Sequence, residues 1–454
     1  MLTNIFQGRA GAFCVVTRCI LPGNSLNRFS ACSMKFHYYL SIFTVLYSAS
    51  VSAISFGTFD PRSVAMGGTG VASATSANAG YYNPALMAQY KVRKEKARNS
   101  RFMIPVINGT ATDNVEEIAT IEDYQFDTRF AEAINDFNAD PQNYQPLLDV
   151  TNDLEAVLDS TSSAPVYADT NIGSVLSVGN RSEGGAFIFN MRLVADGVIN
   201  YSDEDRALLS DYIEEAESVA AGGQPGDAHP ELYNNGELIN PTDSLNSQAA
   251  ATGVRMSELS MSLAKQVRLF KTNIFVGMTP KMVALTLYQI QADATDNNAT
   301  ELIETEVNPY FNFDLGVAKE FKHNITAGLV VKNIIPKRFD VQFGQEVRFD
   351  PQVKAGVYYR DRKWGNYALD FDVLENDAIG QGDATHMLGV GGEWGVGILL
   401  LRGGLSKNFA GTEANKDVLY SVGLNFHTKV LIIDLTYAGN DNQTSYSFQM
   451  GTRF

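Results

Sequence analysis

The sequence predicts an all-β protein, a transmembrane antiparallel β-barrel of about 14 strands with partly helical outer loops. Segments of alternating apolar and polar residues recur along the chain, as expected for strands with unlike surroundings on their two faces. The connections between them alternate between short turns and longer, acidic loops, which is typical of bacterial outer-membrane barrels. The chain also ends on such a segment, 443–454, with an aromatic residue, Phe454, in last position.

The composition excludes some classes of function and leaves the barrel open. The chain of 454 residues has a formal net charge of −16, so it offers no basic field to neutralise phosphates, and we expect no nucleic-acid partner. Outside the amino terminus there is no apolar run of about 18 residues, so membrane-spanning helices are not expected. Barrel strands need only about 9–11 residues, and their lumen-facing side chains are polar, which dilutes the mean hydropathy.

The amino terminus has the pattern of a targeting segment. Lys35 follows Met34, a moderately apolar run covers 38–47, and a small-x-small cleavage pattern follows at 51–53. We expect residues 1–53 to contain a secretory signal that starts at Met34, with an upstream extension before it. The alternative is a buried amino-terminal strand.

The cysteines all fall in this targeting segment. Cys14, Cys19 and Cys32 precede Met34, so the mature chain would hold no thiol. Disulfides, thiolate metal sites and cysteine nucleophiles are therefore not expected in the mature protein.

A segment rich in small residues follows the signal, between 61 and 88. Gly67, Gly68 and Gly70 could suggest a phosphate-binding loop, but no apolar strand precedes them and no Lys-Ser/Thr follows. The simpler interpretation is a compact segment that packs closely on another part of the protein. Asn83-Pro84 predicts a turn, because the residue before proline avoids the helical region.

Two motifs in this segment resemble a known family. Met66-Gly-Gly-Thr-Gly-Val-Ala and Tyr81-Tyr-Asn-Pro-Ala-Leu are similar to TraF-type conjugal transfer proteins, and more distantly to the hatch of FadL-like long-chain fatty-acid transporters of the outer membrane. The resemblance implies a hatch over 54–98 inside a barrel over 99–454. It also implies a plug role for the residues that match the family motif, which are Asn83, Pro84, Ala85 and Leu86.

The even number of alternating segments predicts a closed sheet with both ends in the periplasm. They are 101–108, 166–178, 186–198, 252–267, 274–288, 310–318, 325–332, 353–359, 367–373, 387–394, 396–405, 418–426, 430–437 and 443–454. A propeller would show a repeat of about 40–50 residues, and none is found. Alternation alone also fits a β-sandwich, but the signal, the terminal Phe and the loop parity favour the barrel.

The long connections 109–165 and 199–251 are predicted to be partly helical. In the first, apolar residues recur at helical spacing at Ile118, Ile121, Phe126, Phe130, Ile134 and Phe137, as do leucines between 147 and 158. Residues 203–221 are predicted to form a further helix. The helices could cover one another and the barrel mouth, or their apolar faces could capture a hydrophobic ligand. Their acidic residues lack the twelve-residue spacing of a calcium-binding loop, so no metal site is expected.

We expect no enzymatic activity, no catalytic residues and no cofactor. The histidines after the signal, His229, His323, His386 and His427, are scattered, and no Gly-x-Ser-x-Gly motif is present.

Several charged residues fall on the predicted lumen-facing side of the strands. They are Asp314, Lys332, Lys354, Asp370, Asp372, Arg402 and Asp434. Polar residues line a lumen because it is wet or because it touches a plug. The alternative is that they define a path for a proton or a ligand.

The family resemblance implies passive transport of small hydrophobic, fatty-acid-like molecules across the outer membrane of a Gram-negative bacterium. The expected partners are then outer-membrane lipid and a hydrophobic ligand. The alternative function is a non-transporting component of a conjugal transfer or secretion apparatus, with an envelope protein as its partner.

Overall fold

The computed structural model describes most of the chain after the expected signal. The described residues are 55–89, 100–112, 125–162, 166–179, 182–269, 272–293, 301–340, 346–361, 363–376, 384–411 and 417–454. The expected signal segment, 1–53, lies outside them, as do Ile118 and Ile121 of the first long connection.

A closed antiparallel barrel of 14 strands forms the body of the protein, which confirms the predicted fold class. Its strands, in chain order, are β1 (Arg101–Thr112), β2 (Val166–Gly179), β3 (Glu183–Asn200), β6 (Gln248–Leu269), β7 (Thr272–Asp293), β8 (Glu301–Glu320), β9 (Ile325–Lys332), β12 (Gln352–Asp361), β13 (Gly365–Asp372), β14 (Met387–Val396), β15 (Leu399–Asn408), β16 (Leu419–His427), β17 (Leu431–Gly439) and β18 (Gln443–Arg453). Two short hairpins lie outside the barrel sheet: β4 (Tyr233–Asn234) with β5 (Glu237–Leu238), and β10 (Lys337–Asp340) with β11 (Glu346–Phe349). The barrel closes where β1 pairs with β18 on one side and with β2 on the other.

The two ends of the barrel differ, as the loop parity predicted. We call the end with the short connections and both barrel termini the turn end, and the opposite end the loop end. The strands β6 and β7 are 22 residues long and β8 is 20, so all three continue well past the predicted segments. About 9–11 residues of strand are sufficient to cross a bilayer, so these three strands are longer than a membrane barrel requires, and the excess lies at the loop end. There the apolar lumen face of the wall, including Val254 and Leu287, is covered by Val347 and Phe349 of β11.

Alternation along each strand separates an apolar exterior from a polar lumen. On β17, Leu435 and Tyr437 are exposed on the outer face, whereas Asp434, on the opposite face of the same strand, is buried. Tyr446 on β18 continues the outer row next to Tyr437. This is the distribution of a barrel whose outer surface faces lipid.

Three helices with a core of their own stand at the loop end, as the sequence predicted. They are α3 (Phe126–Ala139), α4 (Gln145–Ser162) and α5 (Asp203–Ala220). Ser202 caps α5 by accepting a hydrogen bond from the Asp205 amide at 3.0 Å. Acidic residues in the first turn stabilise the helix further, because they interact favourably with its dipole. Phe130, Leu154 and Leu209 are buried where the helices meet, and we call this unit the cap. No helix in the described part of the chain is long and apolar enough to cross a membrane.

Residues 55–89, the described part of the expected hatch, lie inside the barrel. They form two short helices, α1 (Pro61–Ala65) and α2 (Ala79–Tyr82), and a 3-10 helix over Pro84–Gln89. Asp60 caps α1 by accepting the amide of Arg62 at 3.0 Å and also accepts the Asn78 side chain at 2.6 Å. These bonds join the beginning and the middle of the segment into one compact body.

Candidate functional site

The glycine-rich loop of the hatch binds a carboxylate of the barrel wall. Asp370 Oδ2, on β13, accepts the amides of Gly70 at 2.6 Å and Val71 at 2.7 Å. Successive backbone N–H groups that point to one side form a concave anion site. In this protein the anion is the buried side chain of the wall, which explains a glycine-rich loop that lacks the features of a phosphate site.

Asn83 ties the second hatch motif to two wall strands. Its side-chain amide donates to the Val71 carbonyl at 2.9 Å and to the Val317 carbonyl of β8 at 3.1 Å. Its side-chain oxygen accepts the Ala85 amide at 3.1 Å, across the proline. One fully buried amide therefore fixes both the internal fold of the hatch and its position on the wall.

A buried chain of charges continues from the hatch along the wall. Arg62 Nε donates to Glu393 of β14 at 3.2 Å, and one of its terminal nitrogens donates to the Ser73 carbonyl at 2.8 Å. Glu393 also accepts Arg402 Nε of β15 at 2.8 Å. Arg402 in turn pairs with Asp434 of β17. Alternating signs along this chain leave the buried charges paired, which lowers the cost of their burial.

Glycines of the wall let the hatch backbone approach closely. A Cβ atom on Gly277 would lie 2.5 Å from the Ala85 nitrogen, and one on Gly391 would lie 2.5 Å from Met66 Cα. Gly67 of the hatch has φ +67° and faces Val390 O, which a Cβ would approach to 2.7 Å. Side chains at these positions would push the hatch away from the wall.

The first described residues of the hatch lie among lumen cations. Arg192, on β3, forms two bonds of 2.8 Å with Asp169 and also donates to the Ser55 carbonyl at 3.0 Å. Lys332 Nζ lies 4.5 Å from the Phe56 ring centre and 4.4 Å from that of Phe59. These separations allow cation–π attraction, which is strongest where water is excluded.

A cavity of about 190 Å³ lies between this part of the hatch and the loop end of the wall. Phe56, Val64 and Met387 supply apolar lining, and Lys354 and Asp169 supply charged groups. The hatch forms one side of the cavity, so a molecule bound there would contact both the hatch and the wall.

Asp60 and Arg62 belong to the hatch and not to the barrel strands, and their surroundings in the lumen shift their pKa values. Burial raises the pKa of Asp60 above its ordinary value, and the nearby Tyr82 hydroxyl and Arg62 offset that rise only in part. Burial lowers the pKa of Arg62, but Glu393 more than compensates, so the net pKa lies above the ordinary value and Arg62 stays charged.

The seven predicted lumen residues are all buried in the structure, where they contact the hatch, one another or a further charged residue of the wall. Asp370 contacts the hatch loop, Lys332 contacts its aromatic rings, and Lys354 lies 3.5 Å from Asp372. Asp314 pairs with Lys281 at 3.0 Å, and Arg402 pairs with Asp434. The structure thus brings them into several separate clusters around the hatch.

Four charged partners were not predicted from the sequence. They are Arg62, Arg192, Lys281 and Glu258, whose carboxylate lies 3.3 Å from Lys281 Nζ. Arg192 and Lys281 alternate with apolar neighbours in β3 and β7, so the period-two signal was sufficient to place them in the lumen. For Arg62 there was no such signal, because its partner Glu393 is distant in sequence.

The family model for the TraF protein of the F plasmid transfer operon matches residues 80–372, which is more than half of the chain. The chain belongs to the TraF family. The predicted family resemblance is therefore confirmed, and the match includes the second hatch motif, 81–86. Among curated proteins, no significant match to this TraF-family chain is found.

Solved transporter structures are similar to this TraF-family barrel at low sequence identity. The toluene transporter TbuX of Ralstonia pickettii is 11% identical, with a TM-score of 0.46, covering 88% of this chain and 99% of that one. A FadL homologue of Pseudomonas aeruginosa is 12% identical, with a TM-score of 0.44 and coverage of 89% and 98%. The toluene transporter TodX of Pseudomonas putida is 9% identical, with a TM-score of 0.39 and coverage of 89% and 98%.

Proposed function

We propose that this protein is a barrel of the Gram-negative outer membrane that admits small hydrophobic molecules by passive transport. The observation that carries the proposal is the cavity at the loop end, which the hatch and the wall line together. A ligand that enters from the loop end would contact Phe56 and Val64 of the hatch. Because such a ligand contacts the hatch directly, its binding can displace the hatch from the lumen that the hatch fills.

The outer surface supports the membrane location. Large apolar side chains such as Leu401, Leu424 and Leu435 are more than 40% exposed on the outer face. Exposure of so many apolar side chains to water would be unfavourable. In a bilayer the same rows face lipid, and the backbone bonds of the closed sheet are satisfied within the barrel. The lipid of the outer membrane is therefore the first partner that we propose.

The size of the cavity favours a compact ligand. An apolar cavity of about 150 Å³ in another protein holds benzene, so a volume of about 190 Å³ suits a molecule with one ring. A long acyl chain would need more room than the hatch leaves in this conformation. Lys354 and Asp169 in the lining would favour a ligand with one polar group.

Uptake of radiolabelled toluene by cells with an intact lipopolysaccharide layer tests the transport proposal. Ser406 lines the cavity, so Ser406→Phe should fill it and return uptake to the vector level. Leu405→Phe is the matched control, because Leu405 is 46% exposed on the outside of the same strand. Uptake equal to that of the vector with wild-type protein correctly inserted would contradict transport.

The family match favours a second candidate, a component of a conjugal transfer apparatus that does not transport. In that case a chromosomal or plasmid deletion should lower transfer frequency from donor cells, and Ser406→Phe should restore it as well as the wild type does. An envelope protein that co-purifies with both forms would support this alternative. Full complementation without any toluene uptake would select it over transport.

A further inference from the structure

We propose that the cap carries a binding site for a divalent transition-metal ion of the Zn²⁺ class, with Asp211, His229 and Glu231 as its protein ligands. The three residues come from two separate elements. Asp211 lies on α5, whereas His229 and Glu231 flank the start of a 3-10 helix at Pro230–Leu232. The fold therefore brings together ligands that form no sequence motif, which is why no metal site was expected from the sequence.

The spacing of the donor atoms suits a tetrahedral ion. His229 Nδ1 lies 2.9 Å from Glu231 Oε1 and 3.7 Å from Asp211 Oδ1, and one ligand atom from each residue lies within 4.8 Å of the others. Zinc bonds of roughly 2.0–2.1 Å at tetrahedral angles place ligand atoms about 3.3 Å apart. The two observed separations lie on either side of this value, so small side-chain rotations are sufficient to accept the ion.

The other ring nitrogen of His229 has the partner that metal-bound histidines usually have. His229 Nε2 lies 3.3 Å from Glu214 Oε2, one residue before the buried Glu215 of the same helix. In this structure Nδ1 also faces a carboxylate, that of Glu231 at 2.9 Å, so a bound ion would take the place of the proton on Nδ1. The carboxylate of Glu214 would then keep a proton on Nε2 and leave the Nδ1 lone pair to the metal. Glu214 is in this way a positioning residue, and it is a feature of the site that is independent of the three ligands.

The backbone that carries His229 is held in place by a buried carboxylate. Glu215 accepts the amides of Gly226 at 2.6 Å and His229 at 3.0 Å, and the Tyr233 hydroxyl at 2.7 Å. All three donors belong to the 226–233 segment, so this segment is fixed on α5. The ligand histidine does not need to be ordered when the ion binds, which lowers the entropic cost of binding.

Charge and ligand type together select the ion. Three carboxylates, from Asp211, Glu214 and Glu231, surround a single imidazole, which leaves an excess of negative charge even if the imidazole is protonated. Ca²⁺ and Mg²⁺ prefer sites made of oxygen alone, whereas one imidazole with two carboxylates suits Zn²⁺ and its neighbours. Water would complete the coordination, since the site is open to solvent on the Glu231 side.

Titration of the full-length protein in detergent with Zn²⁺ tests the proposal, using chelator-treated protein from which any histidine tag has been removed. We expect one Zn²⁺ per chain by calorimetry, and tetrahedral d–d absorption when Co²⁺ replaces Zn²⁺. His229→Ala should abolish both signals, and Glu214→Gln, which keeps all three ligands, should weaken binding roughly 10–100-fold. His323→Asn is the matched control, since His323 is an exposed histidine in a turn at the other end of the barrel with φ +65°, a conformation that asparagine tolerates.

Two results would overturn the proposal. The first is equal Zn²⁺ affinity in the wild type and in both His229→Ala and Glu214→Gln. The second is no saturable binding up to millimolar Zn²⁺, in which case the cluster is an ion pair only. Circular dichroism and heat-modifiable migration of each variant establish that the barrel and cap are folded before either result is read.

Discussion

Replacing Asp370 by alanine should release the glycine-rich loop of the hatch while leaving the barrel closed. The side chain is fully buried and accepts two hatch amides, from Gly70 and Val71. A hydrogen bond to a charged group contributes about 1.5–3 kcal/mol, so the loss of both should destabilise the docked loop by about 3 kcal/mol or more. Since about 1.4 kcal/mol changes an equilibrium constant tenfold, the open population of the loop should rise roughly a hundredfold.

Hydrogen exchange of peptides that contain residues 70 and 71 measures this population directly. We expect these amides to exchange roughly a hundredfold faster in Asp370→Ala, with the barrel strands unchanged, because their ladder bonds remain. Asp314→Asn serves as the control, since Asp314 is buried in the same lumen but pairs with Lys281 of the wall. Unchanged exchange at Gly70 and Val71 in a folded Asp370→Ala variant would refute the assignment of Asp370 as the anchor of this loop.

Three further variants test other parts of the structure. Gly277→Ala should loosen the hatch and increase proteolysis of 66–89, because the new Cβ would lie 2.5 Å from the Ala85 nitrogen. The control, Gly403→Ala, should leave proteolysis unchanged, because the atom nearest to its new Cβ is 3.8 Å away. Leu435→Arg places a charge on the exposed outer face and should lower the free energy of unfolding by about 2–4 kcal/mol if that face lies at mid-bilayer. Urea unfolding in lipid vesicles measures this loss, and a loss below the error of the method would argue against lipid contact there. Phe130→Ala should destabilise the cap by about 3–5 kcal/mol and expose α3–α5 to protease without opening the barrel, whereas equal protease resistance of the two forms would show that Phe130 is not central to the cap core.

Periodicity was sufficient to predict the barrel, because period-two alternation is a local property of each strand. The β9 strand was predicted with its observed bounds, Ile325–Lys332. The extension of β6, β7 and β8 was not predicted, because the lumen face of these residues is apolar. There the contrast between the two faces is lost, and the cover that explains it, Val347 and Phe349, belongs to a hairpin far along the chain.

The site could be predicted only in part, for a similar reason. Alternation along a strand places every second residue on the lumen side, and this was sufficient to assign the seven charged residues to that side. Alternation does not give the partners of these residues. The Asp370 bond to Gly70 joins residues 300 positions apart, and the Arg62 bond to Glu393 joins residues 331 apart. The metal ligands Asp211 and His229 likewise meet only because Glu215 folds the intervening segment back onto α5.

Conductance of single proteins in planar lipid bilayers tests the central claim, that a compact hatch fills the lumen of a membrane-spanning barrel. A variant that lacks residues 61–88 should insert as the wild type does, because β1–β18 still close the sheet. We expect this variant to form stable, ion-conducting pores and the wild type to remain closed or nearly so. Equal, low conductance of the two proteins, with insertion of both verified, would contradict the claim that the hatch is what occludes the barrel.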